Sequence, residues 1–461
     1  MNHYIDSPRK TGPVGKVSVN QPPDEIVRSQ QVTTTATNRG SRISVALVKR
    51  MLTWLNGVPL RLTLPAGETI ELSTAEPLYT IHILDRRTLW QVAFDPLFQF
   101  GEAYSDGRIT VEGNFADCLT DIDRAMNRQK RRSMKQRVLN SLHRPFANTI
   151  SGSKRNVHHH YDIGNEFYRL WLDENMIYTC AYFSRPNLAL ADAQTAKLDH
   201  VCRKLQLKPG MQVVEAGCGW GGLAIHMAKN YGAHVKAFNI SQEQVAWAKE
   251  RAYQQGVSSL VEFVQDDWRN IDGKHDAFVS VGMLEHVGLK YYKQLGKVIH
   301  DCLTPEGIGL IHTIGQNSPG PFNQWVEKRI FPGAYVPTLK QLMDIFEPNN
   351  VSVLDVENLR LHYEETLRRW SSRFEDSVEQ VREQLGDHFV RMWRMYLAGS
   401  VAAFGSGSLQ LFQVVFANGE SNRVPRTREH LYDTTNDRVS LAIKSIANQC
   451  STSVTNGWSQ S

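Results

Sequence analysis

Short apolar runs recur along the middle of the chain at helix-sized intervals. They are Val213-Val214, Val235 to Ile240, Leu260 to Val264, Ala277 to Val281 and Gly309 to Ile314. Short runs of up to six residues without alternation suit strands buried on both faces, and the spacing predicts βαβ units in a doubly wound, Rossmann-like α/β sheet. Further on, Gln410 to Phe416 is expected to close the sheet antiparallel beside Val351 to Val356, after helices over Glu364 to Gln384 and His388 to Ala403. Ahead of the sheet, an amphipathic stretch (Ile43, Leu47, Met51, Trp54, Leu55) precedes short β-like runs at Leu60–Leu64, Thr69–Leu72, Tyr79–Leu84, Trp90–Phe94 and Ile109–Val111. These predict a small N-terminal α+β domain.

The first strand ends in Val213-Val214-Glu215-Ala216-Gly217-Cys218-Gly219-Trp220-Gly221-Gly222. A turn this rich in glycine lets backbone N–H groups and a helix N-terminus approach a nucleotide-like ligand. The Gly-x-Gly-x-Gly spacing differs from the Gly-x-Gly-x-x-Gly of dinucleotide folds, which favours S-adenosylmethionine over NAD. A strand-to-helix turn without ligand is the other reading. The second strand ends at Phe238-Asn239, where an acidic residue for ribose is absent, so Asn239 or Gln244 is left to contact the sugar. After the third, Gln265-Asp266-Asp267-Trp268 offers a carboxylate and an indole for an adenine, or a solvated loop.

At 461 residues the chain exceeds one ordinary core. Residues 1–40, poor in large apolar groups, read as a disordered leader. Residues 41–120 form the small domain, 121–152 a basic linker, 153–419 the main domain and 420–461 a polar tail. No acidic residue lies between Asp123 and Asp162, while Arg124, Arg128, Lys130, Arg131, Arg132, Lys135, Arg137, Arg144, Lys154 and Arg155 accumulate. That linker reads as a landing surface for anionic lipid, against the competing readings of a solvated helix and a nucleic-acid patch. No apolar run approaches the ~18 residues of a membrane span, and the polar N-terminus is no signal peptide. The six cysteines have neither paired nor metal-ligand spacing, which suits a reducing cytoplasm, and His158-His159-His160 lacks partners for zinc.

Five motifs in order complete a specific pattern: His-Tyr-Asp-Ile-Gly-Asn-Glu-Phe-Tyr (160–168), Tyr-Thr-Cys-Ala-Tyr-Phe (178–183), Gly-Cys-Gly-Trp-Gly-Gly (217–222), Gly-Met-Leu-Glu-His-Val-Gly (282–288) and His-Thr-Ile-Gly (312–315). From about Ser41 to Gly419 the chain resembles the cyclopropane-fatty-acyl-phospholipid synthase family. The resemblance implies a class I methyltransferase fold. It also implies transfer of the sulfonium methyl of S-adenosylmethionine to a cis double bond in a phospholipid acyl chain, with ring closure. It further implies a homodimer, with lipid contact assisted by the N-terminal domain, in the cytoplasm and peripheral to the inner membrane, and no nucleic-acid partner.

Carried over by motif, cofactor contacts fall on Tyr178, Thr179, Glu215, Gly217, Cys218, Gly219, Trp220, Gly221, Asn239, Gln244, Asp267 and Trp268. A bicarbonate base is implied at Cys180, Glu285, His312, Ile314 and Tyr363. For Cys180 the bland alternative is a small buried hydrophobe. Glu285 stands just after a strand and His312 near the end of the next, in the layer where α/β sheets place chemistry. Tyr168, Trp171, Tyr178, Tyr182, Phe183, Trp325, Phe331, Tyr335 and Tyr363 are candidate walls for a carbocation, with ordinary packing as the alternative for each. The Pro-rich segment from Gln316 to Tyr335 is expected to cover the substrate. Two positions depart from the family: Asn239 stands where threonine is usual, and Ser400 where many members carry cysteine, which removes a nucleophile from that helix. Methylation of another acceptor, non-catalytic lipid binding, and methyl- or methylene-branch formation are the competing readings.

Overall fold

The computed structural model describes residues 57–130 and 163–432, with residues 34–35, 48 and 55. Seven strands form the main sheet: β6 (Gln212–Ala216), β7 (His234–Asn239), β8 (Val261–Gln265), β9 (His275–Val281), β10 (Leu303–Gly315), β11 (Val351–Asn358) and β12 (Gln410–Asn418), in the order β11-β12-β10-β9-β6-β7-β8. Every pairing is parallel except those of β12, which runs antiparallel between β10 and β11. The predicted last strand therefore sits inside the sheet, and β11 is the edge. Strand order reverses between β6 and β9, and the crevice outside the carboxyl ends at such a switch is where open α/β sheets bind ligands.

Helices α5 (Leu190–Lys204), α6 (Gly222–Tyr231) and α7 (Gln242–Gln254) flank β6 to β8, and α8 (Tyr292–Cys302) and α10 (Leu339–Phe346) cover the other side. An aromatic cluster built on α4 (Asn165–Trp171), α11 (Arg360–Asp376) and α12 (Val378–Ser406) stands over the crevice. Gly386, at φ 82° and ψ 165°, breaks α12 into two segments.

The small domain is a five-stranded sheet ordered β1 (Thr34–Thr35), β3 (Thr69–Glu71), β2 (Leu60–Thr63), β4 (Tyr79–Ile83), β5 (Ile109–Glu112). Trp90–Phe94, read as strand-like, belongs instead to helix α1 (Arg86–Phe94). Asp85 caps it by accepting the Thr88 N–H at 2.8 Å, and Leu89 and Val92 share its buried face. Thr34 and Thr35, inside the expected leader, pair with Ile70 and Thr69. Helix α2 (Pro96–Ser105) and α3 (Phe115–Lys130) dock the domain onto α11 and α12. Arg391 donates to the Tyr104 and Ile109 carbonyls, Arg368 pairs with Asp117, and Ser408 bonds Asp123. The first ten residues of the expected linker thus belong to a packed helix. The rest of the linker, the three-histidine run, the remainder of the leader and the tail beyond residue 432 lie outside the described residues.

Candidate active site

At the C-terminal end of β6 the chain turns through Gly217 (φ 83°) and Gly219 (φ 53°) into α6. Gly217 N–H donates to the Phe238 carbonyl at 2.9 Å, and a Cβ on Gly217 would fall 2.8 Å from that of Met283. A Cβ on Gly219 would meet nothing within 4 Å, because that residue borders an open cleft. The cleft is lined by Tyr178, Thr179, Glu215, Gly217, Cys218, Gly219, Trp220, Asn239, Gln244, Asp267 and Trp268, all the predicted cofactor contacts but one. Gly221 is the exception: a Cβ there would strike Ala248 and Phe263 at 2.8 Å, so this glycine serves helix-to-sheet packing.

The polar groups of the cleft hydrogen-bond to one another. Asn239 donates to the Gly219 carbonyl at 3.0 Å and to Gln244 Oε1 at 2.9 Å, which joins the two candidate ribose groups. Both carboxylate oxygens of Asp267 accept from Arg269 Nη1, at 3.0 and 2.9 Å, and that guanidinium lies over the Trp268 ring. The buried Asp267 carboxylate is thereby held by the neighbouring guanidinium rather than extended into solvent. Burial pushes the Glu215 carboxyl up to about 8, against the opposing pull of Lys197 and the Ala224 N–H.

Cys180, Glu285, His312, Ile314 and Tyr363 lie outside the lining of this cleft. Glu285 Oε1 accepts the Ile314 N–H at 2.6 Å. Ile314, Cys180 and Tyr363 pack in one apolar cluster, and Cys180 and Tyr363 are linked through Thr366, which receives the Ala181 N–H one helical turn beyond Tyr363. His312 lies two residues before Ile314 on the same face of β10, opposite Val281. Glu285 Oε2 is buried with no hydrogen-bond partner of good geometry among the described residues, although the Thr313 hydroxyl favours its ionised form. Burial raises the Glu285 carboxyl and the Cys180 thiol, and holds His312 down at about 3. A buried, unpartnered acceptor calls for a donor, and an anion bearing one O–H supplies it. Bicarbonate is one small anion that carries such an O–H.

Sequence reading missed three buried polar groups. Lys197 lines the cleft and donates to Thr179 Oγ1 at 3.0 Å, and burial lowers it to about 8. Lys204 and Gln413 lie behind His312. The available signal was on α5: Lys197 and Lys204 occupy the helical stripe of Leu190, Ala193 and Val201, where apolar residues belong. Of the candidate aromatic walls, Tyr168, Trp171 and Tyr178 pack with Trp370 and Trp393 at centroid distances of 5.2–6.4 Å. Tyr182 instead stacks on His200 and His362. No group of residues among those described could hold a metal ion, and no described helix is long and apolar enough to cross a membrane.

The family described as mycolic acid cyclopropane synthetase matches residues 149–414. A Pseudomonas putida protein named "Probable fatty acid methyltransferase" is 34% identical over 389 residues, 81% of this chain and 96% of that one. The cyclopropane-fatty-acyl-phospholipid synthase of Escherichia coli K12 is 41% identical over 264 residues, 57% of this chain and 68% of its own. Among solved structures, the mycolic acid cyclopropane synthase CmaA1 complexed with SAH and CTAB superposes with a TM-score of 0.55 at 28% identity, covering 57% of this chain and 97% of that one.

Proposed function

Because the chain belongs to the mycolic acid cyclopropane synthetase family, and is an S-adenosylmethionine-dependent methyltransferase, we propose that it converts the cis double bond of an unsaturated phospholipid acyl chain into a cyclopropane. The alkene π pair takes the methyl carbon from the sulfonium, the S–CH₃ bond breaks to leave S-adenosylhomocysteine, and a carbocation forms on the neighbouring carbon. Loss of a proton from the new methyl then closes the ring. The observation that carries this reading is the buried carboxylate of Glu285, fixed by the Ile314 N–H at 2.6 Å and with no hydrogen-bond partner of good geometry at Oε2 among the described residues.

Each residue has a part in that chemistry. The glycine turn, Asn239–Gln244 and Trp268 orient the cofactor. The Tyr168–Trp171–Tyr178–Trp370 cluster keeps water from the cation and faces it with π density. Glu285, His312, Cys180 and Tyr363 hold a small anion, and the Ile314 N–H fixes the Glu285 carboxylate beside it. Bicarbonate bound there would supply the base for the departing proton. Homodimer formation, lipid contact through the N-terminal domain and attachment to the inner membrane through the basic segment belong to the same proposal.

The test is gas chromatography with mass spectrometry of lipid methyl esters after incubation with S-adenosylmethionine and cis-monounsaturated phospholipid vesicles. Gain of one CH₂ with loss of the olefin is expected. The same gain with an olefin retained would replace ring closure by branch formation, and no product would remove the lipid from the reading.

A further inference from the structure

His312 can hold out a donor or a lone pair, and its neighbours decide which. Cross-strand register places His312 of β10 opposite Gln413 of β12, and Gln413 opposite Glu357 of β11, in one row across three strands. Lys204 projects from α5 onto that row: its ammonium lies 2.5 Å from Glu357 Oε2 and 2.7 Å from Gln413 Oε1. His200 Nε2 is 2.7 Å from the same Glu357 oxygen. Gln413 Nε2 then lies 3.0 Å from His312 Nδ1. Gln413 is fully buried, and Lys204 and His312 are 1% and 2% exposed, so bulk solvent does not reach the Lys204–Gln413–His312 contacts.

An ammonium only donates, so the Gln413 atom facing it is the carbonyl oxygen. The amide NH₂ is thereby turned toward His312, and Nδ1 must accept. Turning the amide round would set NH₂ against a buried cation. We propose that Lys204 and Gln413, anchored by Glu357, are positioning residues that lock His312 as the neutral tautomer with its proton on Nε2. The proposal rests on the anion-site reading above and deepens it: His312 donates to the anion and has no lone pair with which to act as base. The charged and titratable groups around His312 are Lys197, His200 and Lys204 from α5 and Glu357 from β11, while Glu285 engages Ile314. Burial and the two lysines all act against an imidazolium there.

The experiment is ¹⁵N spectroscopy of the full-length, histidine-labelled protein at pH 7, with the His312 signals assigned by their loss in His312→Asn. A pyridine-type Nδ1 and a pyrrole-type Nε2 are expected, exchanged in Gln413→Glu, whose carboxylate would accept from Nδ1–H. Gln413→Glu should also keep cofactor affinity and lose turnover at pH 8 on the order of 10²-fold, the usual loss for one misplaced donor. Its rate should recover toward lower pH as the imidazolium restores Nε2–H, a limb the parent enzyme lacks. A pyrrole-type Nδ1 in the parent protein overturns the proposal whatever the variant does, and so does a pyridine-type Nδ1 that persists in Gln413→Glu. Undiminished turnover in His312→Asn would instead refute the anion site, a result separable from the spectrum.

Discussion

Helix α9 (Gln324–Arg329) ties the 316–338 segment to the small domain by two contacts of different kinds, and they are predicted to be unequal. Trp325 is 2% exposed and lies against Gly101, where a Cβ would come within 2.7 Å of the indole. A buried aromatic hides ~150–250 Å², which at ~25 cal/mol/Å² is about 4–6 kcal/mol as an upper figure. The indole N–H has no hydrogen-bond partner among the described residues, a cost of about 1–3 kcal/mol. The net of about 3 kcal/mol agrees with the ~3–5 kcal/mol usual for Trp→Ala in a core. The second contact, Arg329 with Glu102 at 2.5 Å, joins side chains 38% and 18% exposed, and such a pair contributes about 0.2–1 kcal/mol. Trp325→Ala should therefore raise amide exchange across 316–338 on the order of 10²-fold, and Arg329→Ala by less than about 5-fold. None of these residues lines the cofactor cleft, so S-adenosylmethionine affinity should hold in both while KM for lipid rises in Trp325→Ala. Equal exchange in the two variants, measured by mass spectrometry, would refute the reasoning.

Glu285→Gln keeps an acceptor for the Ile314 N–H but turns a donor where Oε2 stood; calorimetry should show native cofactor binding and single-turnover assays a loss of about 10²–10³-fold. Gly219→Val projects a side chain into the cleft and should abolish cofactor binding, with melting lowered only by the strain of a side chain at its positive φ. Gly221→Ala, which adds a clash to that strain, should lower the melting temperature more and cofactor affinity less, and the reverse pattern would contradict the two glycine roles. His312, ordinarily near 6.5 and held at about 3 by burial, resists protonation only when folded. Its contribution is constant above pH 6.5 and lost as pH falls below it, at about 1.4 kcal/mol per pH unit. His312→Asn should flatten the acid limb of urea midpoints by that slope.

What could be read from the sequence was what local chemistry dictates. The Gly217–Gly222 turn, the apolar runs and the residues just beyond the strand ends announced themselves by composition and spacing, and the structure gathers them around one crevice. Trp90–Phe94 misled because strand-type residues crowd a window that the Asp85 cap starts as a helix. The Gln413–His312 pair joins residues a hundred positions apart, and only the register of an inserted antiparallel strand brings them together. Gly221 could not be told from Gly219 by spacing, since both have positive φ and differ only in what their missing Cβ would meet.

The position of β12 also orders the birth of the enzyme in time. Every residue lining the cofactor cleft lies between Met176 and Val287, so that half of the chemistry is complete when little more than half of the chain has left the ribosome. The partner of His312 arrives with one of the last described strands, threaded between two strands already made. A chain ending before Gln410 would contain every residue of the cofactor cleft but no group to set the proton on His312. Turnover thus depends on a strand that cofactor-lining residues all precede.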